Sequence, residues 1–241
     1  MRKRADVILV ELGHFSSRAR AQAAIEAGLV SVDGVALRKP SENVAPGAFI
    51  AASAPHPWVS RGGVKLAAGL DAFGLDPRGR DCLDIGASTG GFTDVLLARG
   101  ARRVYAVDVG HSQLDARLRT NSQVVVYEGQ DARKLTATMF DSPPAAIVCD
   151  VSFISLRLVL PYVLPLAAAG AWLVALIKPQ FEAGRAHIVK GAVKDPAIHT
   201  QVCDAVRDSA RELGWSSLGT IASPILGGDG AQEFLFGARR G

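Results

Sequence analysis

The sequence predicts an α/β protein in which a mostly parallel, Rossmann-like sheet follows a small α+β unit. Short apolar runs separated by helix-length segments support the sheet, because alternating strands and helices form parallel sheets covered on both faces. The charge distribution separates the two parts: residues 1–65 contain nine Lys or Arg and five Asp or Glu, and the remainder contains 18 of each. The net charge of +4 therefore lies in the first quarter of the chain, which favours an anionic partner there.

The composition narrows the classes of protein that the chain can form. With 241 residues, 49% of them hydrophobic and 21% charged, it can bury a sizeable core, which excludes bulk disorder. The three cysteines have no Cys-x-x-Cys spacing, as is typical of a reduced cytoplasmic protein. The five histidines show no zinc-ligand spacing, and the charged N-terminus lacks the apolar core of a signal peptide. We therefore expect a cytoplasmic protein without a metal site.

The first part of the chain predicts a compact α+β unit. Two short helices come first, and a strand that enters a tight turn at Gly34 follows them. Gly13 ends the first helix, Gly28 ends the second, and either Ser16 or Ser17 can cap the start of the second. The predicted elements are helices over Val7–Leu12 and Arg18–Ala27, a strand over Val30–Val32, and extended pieces that end near Ala52.

Two prolines in Ser53–Pro57 indicate a stiff connection to the rest of the chain. We place the small domain at residues 1–52, the linker at 53–60 and the larger domain at 61–241. In the larger domain the predicted parallel strands are Cys82–Ile85, Val104–Val107, Val124–Tyr127, Ala146–Cys149 and Trp172–Ile177. The larger domain then continues with a helix from Asp195-Pro196 to about Leu213. A closing hairpin completes it, in which Ser216–Ile221 and Glu233–Phe236 are joined by the glycine-rich loop 227–230 and the last strand is antiparallel.

One uncharged run, Leu158–Ile177, is long enough at 20 residues to span a bilayer. Pro161, Pro165 and Gly170 interrupt it. We interpret it as a helix, a glycine stop and a buried parallel strand rather than a membrane span.

A glycine-rich loop, Asp84–Thr93, follows the first strand of the larger domain. Its spacing is Asp-x-Gly-x-x-x-Gly and not Gly-x-Gly-x-x-Gly, because Ser88 stands at the second glycine position. Such a loop lets the backbone approach a ligand, and free amides at a helix start attract negative charge. The motif resembles the first motif of S-adenosylmethionine-dependent methyltransferases. The candidate residues in this loop are Asp84, Gly86, Ser88, Thr89, Gly90, Gly91 and Phe92.

Two acids at strand ends extend the predicted cofactor site. Asp108 ends the second strand, where a carboxylate grips ribose hydroxyls in Rossmann-like sheets. Asp131 follows the third strand, where methyltransferases of this kind hold the adenine amine, although a loop acid or helix cap would also explain it.

Four charged residues form the candidate catalytic group. Asp150 and Lys178 end neighbouring strands, so both should lie at the ligand-binding edge of the sheet. With Lys65 and Glu233 they resemble the Lys-Asp-Lys-Glu tetrad of FtsJ-type ribose 2′-O-methyltransferases. Lys178 would act as the base or stabilise the oxyanion; Lys65 would lower its pKa, whereas Asp150 and Glu233 would raise it.

Other methyltransferase chemistries fit less well. The motif Asn/Asp-Pro-Pro-Tyr/Phe of nucleic-acid amino-methyltransferases is absent, because Asp150 is followed by Val-Ser-Phe. A carbon-five cytosine enzyme needs a nucleophilic cysteine on a loop, whereas Cys149 lies inside an apolar strand and is better explained as a buried core thiol.

The motifs together resemble the TlyA-type (haemolysin A) family of rRNA 2′-O-methyltransferases. The resemblance rests on 59–66, Asp84–Thr93, 150–155 and 177–182. The first domain, with Ser17-Arg18 and Val32-Asp33-Gly34, resembles the RNA-binding domain named after the fourth small-subunit ribosomal protein. The resemblance implies a domain that docks on rRNA within a ribosomal subunit and a second domain that methylates a cytidine ribose. The short chain resembles the type that acts on large-subunit rRNA.

The candidate RNA contacts are Arg4, Arg18, Arg20 and Lys39, because arginine and lysine hold phosphates with little sequence preference. Solvated helix charges are the simpler interpretation of each one alone. Phe153 would stack the target base or pack in the core. The alternative function is a non-catalytic RNA-binding or haemolysin-like protein, although no amphipathic cationic helix favours membrane lysis.

Overall fold

The computed structural model describes residues 2–15, 17–227 and 230–241, and the chain divides into two compact units on either side of Pro57 and Trp58. Ser16, one of the two candidate caps, and Gly228-Asp229 of the glycine-rich loop lie outside the described residues. The first unit contains β1 (Lys3–Arg4), α1 (Ala5–Glu11), α2 (Arg18–Glu26), β2 (Val30–Val32), β3 (Val35–Ala36), β4 (Asn43–Val44) and β5 (Ile50–Ala52).

The first unit buries the facing sides of α1 and α2 against its strands. Its core includes Leu9, Ile25 and Val30, each no more than 1% exposed. Ser17 caps α2, since its side chain accepts a hydrogen bond from the Arg20 amide. A three-stranded antiparallel sheet has the order β3-β2-β5, and β1 pairs with β4. Strands β3, β4 and β5 lie among the predicted extended pieces, whereas β1 was not predicted, because a run of two residues carries no alternation of apolar and polar side chains.

The second unit is a seven-stranded sheet with helices on both faces. Its order is β11-β12-β10-β9-β6-β7-β8, and β12 runs antiparallel to both of its neighbours, as the predicted closing hairpin required. The elements are α3 (Gly62–Phe73), β6 (Asp81–Ile85), α4 (Gly91–Ala98), β7 (Arg103–Asp108), α5 (Ala116–Arg119), β8 (Val124–Glu128), β9 (Ala146–Cys149), α6 (Leu160–Val163), β10 (Trp172–Ile177), α7 (Pro179–Glu182), α8 (Pro196–Glu212), β11 (Trp215–Ala222) and β12 (Phe234–Arg240).

The two faces of the sheet have separate cores. Helices α3 and α4 cover one face with Leu66, Leu70 and Leu96, whereas α6 and α8 cover the other with Leu160 and Val206. The strands at the centre are buried from end to end, as their unbroken apolar sequences predict. The sheet therefore holds its strand ends rigidly at one edge, where the candidate catalytic residues lie.

The uncharged run 158–177 does not contain the single helix that we expected. Pro161 and Pro165 each start a new short helical segment, because proline cannot continue the hydrogen bonds of a helix interior. Gly170, with a φ of +68°, follows the helical part of the run, and β10 completes the run as a fully buried strand. Among the described residues no helix is both long and apolar enough to cross a membrane.

Candidate active site

Two cavities lie at the edge where the parallel strands end. The larger has a volume of about 550 Å³ and is lined from the ends of β6, β7 and β9 and the segment after β8. The smaller has a volume of about 180 Å³ and is lined by Lys65, Lys178 and the loop after β6. Gly86, Ser88, Asp150 and Ser152 line both, so the two cavities are neighbours.

The loop between β6 and α4 brings its backbone close to the next strand end. Gly86 has a φ of +81°, and a Cβ there would lie 2.4 Å from the carbonyl oxygen of Asp150. Ser88 also has a positive φ, of +48°, and its amide donates to Asp108 Oδ2 at 2.8 Å. The packing of the loop therefore requires glycine at position 86, whether or not a ligand is bound.

Most of the predicted cofactor residues line the cavities. Gly86, Ser88, Asp108 and Asp131 line the larger one, and Gly86, Ser88, Thr89, Gly91 and Phe92 line the smaller one. Asp84 and Gly90 line neither. A Cβ at Gly90 would lie 2.3 Å from the side chain of Leu118, so this position is closed by packing.

Asp84 lies beneath the loop and is completely buried. The Thr93 hydroxyl donates to its Oδ2 at 2.6 Å, whereas its Oδ1 is buried without a hydrogen-bond partner. Burial, reinforced by the nearby charge of Asp150, raises the pKa of Asp84 to about 7. Asp84 therefore supports the loop from inside the protein, through its hydrogen bond with Thr93 in the first turn of α4.

The two candidate acids that line the larger cavity already hydrogen-bond to other groups of the protein. Asp108 accepts the amides of Ser88 and Gly110, at 2.8 and 2.7 Å. Asp131 caps a 3₁₀ helix at Ala132–Lys134 and pairs with Arg133, whose hydrogen bonds lower the pKa of Asp131 to about 2. The helix-cap interpretation of Asp131 is therefore correct as local structure, and the same side chain lines the cavity.

The four candidate catalytic residues form two ion pairs. Lys178 Nζ lies 2.7 Å from Asp150 Oδ1 and 2.8 Å from Ser152 Oγ. Lys65 on α3 pairs with Glu233, which comes directly before β12 and not within it as predicted. Lys65, Lys178 and Asp150 line the smaller cavity, and Glu233 reaches it through Lys65. Two ammonium groups and two carboxylates thus meet beside the larger cavity.

The cysteine alternative does not fit this geometry. Cys149 is completely buried inside β9, and burial raises the pKa of its thiol above the ordinary value, which keeps it protonated. Within the described residues, no group of three or more His, Cys, Asp or Glu could hold a metal ion.

Sequence reasoning missed the residues that brace the loop after β9. Glu182 accepts hydrogen bonds from Ser155 Oγ and the Leu156 amide, both at 2.6 Å, and so joins this loop to α7. Phe153 is 92% exposed with a φ of +65°, which rules out the core-packing alternative. Its ring centroid lies 5.1 Å from that of Phe181. A lone acid such as Glu182 carries no spacing signal that would have identified it.

The candidate RNA-binding residues lie in the first unit, and two of them share a partner. Arg4 and Arg18 both bind the carboxylate of Asp6, which is completely buried. Lys39 is exposed, and Arg20 is half-buried on α2. The structure therefore brings Arg4 and Arg18 together through Asp6, an acid that no sequence motif singled out.

A seven-stranded sheet with one antiparallel strand, a glycine-rich turn after its first strand and acids at its next two strand ends is the architecture of Rossmann-like methyltransferases. The protein is thus a methyltransferase of the class that uses S-adenosylmethionine.

The comparisons with known proteins identify the family. The FtsJ-like methyltransferase model matches residues 58–240, and the S4 domain model matches residues 3–50. The chain belongs to the FtsJ-like methyltransferases, in the TlyA-type group that also carries an S4 domain.

Three relatives are informative. The 16S/23S rRNA (cytidine-2′-O)-methyltransferase TlyA of Mycobacterium tuberculosis is 43% identical, with 99% of this chain and 90% of the relative covered. The 23S rRNA (cytidine-2′-O)-methyltransferase TlyA of Campylobacter jejuni is 36% identical over 74% of this chain and 70% of its own. A solved hemolysin structure from Streptococcus thermophilus is 41% identical, with a TM-score of 0.79 over 99% of this chain and 88% of that one.

Proposed function

We propose that this protein is an rRNA 2′-O-methyltransferase that transfers a methyl group from S-adenosylmethionine to the 2′-hydroxyl of a cytidine. The observation that carries the proposal is the position of Lys178. Lys178 lines the smaller cavity, which shares four lining residues with the larger one. We assign the larger cavity to the cofactor. The names of the relatives support the cytidine ribose as the acceptor.

The larger cavity fits S-adenosylmethionine. Its volume of about 550 Å³ lies within the range of roughly 300–1,000 Å³ that small-molecule sites occupy. Asp108 would hold the ribose hydroxyls, Asp131 the adenine amine, and the backbone of 86–91 the amino-acid end. When bound, S-adenosylmethionine supplies a methyl group already activated by its sulfonium. The protein therefore has to position the acceptor and control its proton.

In this assignment, Lys178 stabilises the negative charge that develops on the 2′-oxygen. Asp150, 2.7 Å from Nζ, fixes the direction of the lysine together with Ser152. As the 2′-oxygen takes the methyl group, the bond from that methyl to the cofactor's sulfur would break and the hydroxyl proton would pass to solvent water. Lys65, held by Glu233, adds a second positive charge to the same cavity.

The first unit would provide the rRNA affinity, through Arg4, Arg18, Arg20 and Lys39. Phe153, exposed beside the larger cavity, would stack on the target base. We further propose that the substrate is rRNA within a ribosomal subunit in the cytoplasm. Large-subunit rRNA is the first choice, because both TlyA relatives are named for 23S rRNA and only one also for 16S.

The test is methyl transfer with identified product. Purified protein is incubated with small subunits, large subunits and naked rRNA in the presence of labelled S-adenosylmethionine, and the labelled nucleotide is mapped by mass spectrometry. We expect one 2′-O-methylcytidine in large-subunit rRNA, formed about 10²–10³-fold more slowly with Lys178→Ala. A methyl group on a base atom would contradict the proposal.

The non-catalytic and lytic alternatives predict other results. A non-catalytic RNA binder would not bind S-adenosylmethionine in calorimetry, and a lytic protein would release dye from liposomes at micromolar doses. Either result, with no labelled rRNA, would replace the methyltransferase assignment.

A further inference from the structure

The first unit contains a completely buried carboxylate, Asp6, near the start of α1. Arg4 Nε donates to its Oδ1 at 3.0 Å, and Arg18 Nη2 donates to its Oδ2 at 2.8 Å. Gln22 Nε2 donates to Oδ2 at 2.7 Å. Together with second contacts from both arginines, the carboxylate receives five side-chain hydrogen bonds.

The two arginines differ from Asp6 in exposure. Their side chains are 49% and 56% exposed, whereas that of Asp6 is 0% exposed. A guanidinium has five N–H donors, and each arginine directs two of its nitrogens toward Asp6. Donors remain on each arginine at the surface. The cluster of Arg4, Asp6, Arg18 and Gln22 carries a net positive charge.

The buried carboxylate is held in its charged form. The hydrogen bond from Arg4, followed by those from Arg18 and Gln22, lowers the pKa of Asp6 far below its ordinary value in spite of burial. An anion fixed inside the unit is thus available to orient two cations at its surface.

We propose that Asp6 is a positioning residue for RNA docking, which holds the guanidinium groups of Arg4 and Arg18 side by side as a clamp for backbone phosphates. The inference rests on the proposed rRNA-binding role of the first unit. Arginines fixed in this way lose less side-chain freedom when they bind, and their remaining donors keep one direction. Asp6 does not touch the RNA and acts only through the two arginines.

The proposal and simple electrostatics predict opposite changes in RNA affinity when the negative charge of Asp6 is removed. Removing a negative charge from an RNA-docking unit raises its net positive charge, which by itself strengthens binding to phosphates. Replacing Asp6 by asparagine also substitutes an amide donor for one acceptor oxygen, so at least one arginine loses its anchor. If positioning dominates, binding weakens although the charge becomes more favourable.

The experiment measures the affinity of the full chain for naked 23S rRNA over a range of salt concentrations. Asp6→Asn is expected to raise Kd about tenfold and to reduce the salt slope by about one phosphate contact. The matched control is Glu11→Gln, which removes an exposed acid from the same helix, one that pairs with Lys3 and not with the cluster. This control should bind as tightly as the wild type or more tightly.

Two further variants keep the test decisive if Asp6→Asn unfolds the unit. Arg18→Lys keeps the charge but loses the forked contact, and Gln22→Met removes only the amide contact to Asp6; each should weaken binding about threefold. Unchanged thermal unfolding would show that these variants are folded.

The inference is overturned if folded Asp6→Asn binds like Glu11→Gln, or if Arg18→Lys and Gln22→Met both bind like the wild type. If the wild type itself shows no salt-dependent binding, the docking role fails first, which is a separate and recognisable result.

Discussion

The two lysine–carboxylate pairs of the second unit join the same kinds of group in different surroundings. The side chains of Lys65 and Glu233 are 10% and 3% exposed, and the two residues are 168 positions apart in the chain. The side chains of Lys178 and Asp150 are 11% and 21% exposed, and the ammonium group of Lys178 also donates to Ser152. The first pair therefore fastens α3 to the residue before β12, whereas the second lies at the ends of β9 and β10, where we propose that Lys178 meets the substrate. The difference teaches that the burial of the carboxylate, and not that of the lysine, distinguishes the two pairs, since both lysines line the smaller cavity.

The largest expected effect separates the pairs by stability. Glu233→Ala leaves the ammonium of Lys65 buried without its partner, and we expect the free energy of unfolding to fall by about 3–5 kcal/mol. Asp150→Ala should cost about 1 kcal/mol, because Asp150 is the more exposed carboxylate and Lys178 keeps the Ser152 hydroxyl. Urea denaturation of both variants measures the difference, and equal losses would contradict the comparison.

The second prediction separates the pairs by catalysis. Lys178→Ala should lower kcat by about 10²–10³-fold, since it removes the group that stabilises the developing oxyanion. The Kd for S-adenosylmethionine should stay nearly constant in calorimetry. Lys65→Ala serves as the control: its loss of activity should come with a loss of stability, because Glu233 is then buried alone. Full activity of Lys178→Ala would assign the chemistry elsewhere.

The third prediction concerns Asp84, a buried carboxyl group that lies within reach of the charge on Asp150. Because burial and Asp150 raise the pKa of Asp84 to about 7, the folded state holds this proton more tightly than the unfolded chain. Stability from Asp84 is therefore complete below about pH 4 and is lost as pH rises to about 7, by a few kcal/mol at most. Unfolding measured across this range should show the decline in the wild type and a flatter curve in Asp84→Asn. An identical slope in both would exclude Asp84 as the titrating group.

The smallest expected effect tests Ser152, whose hydroxyl accepts a hydrogen bond from Lys178 beside the pair with Asp150. Ser152→Ala removes the hydroxyl that holds Lys178 and should lower kcat about tenfold, or about 1.4 kcal/mol. Ser152→Thr keeps a hydroxyl and should recover most of the activity. If alanine and threonine behave alike in steady-state methyl transfer, the hydroxyl does not orient the lysine.

Much of the fold could be predicted from the sequence, because its signals are local. The strands β9 and β10 are unbroken apolar runs, and Asp195-Pro196 marks the start of α8. The parallel arrangement also predicts that Asp150 and Lys178 meet at one edge.

The rest depends on contacts between distant segments. The burial of Asp6 and its two arginines follows from how α1 and α2 pack, and nothing in the spacing of Arg4 and Arg18 reveals it. The same holds for Glu182, which joins the loop after β9 to α7, and for the burial of the pair of Lys65 and Glu233. Sequence patterns identify the charged groups at the site, whereas tertiary packing decides which of them face a ligand.

The direction of β12 has a consequence for biosynthesis. Because this strand runs against its neighbours, its beginning, and not its end, lies at the edge where Glu233 meets Lys65. It also lies between β10 and β11, so the sheet has a gap until β12 is in place. The nascent chain therefore cannot complete this pair, or close its sheet, until β12 has left the ribosome. The pair of Asp150 and Lys178 needs only β9 and β10, which come earlier in the chain.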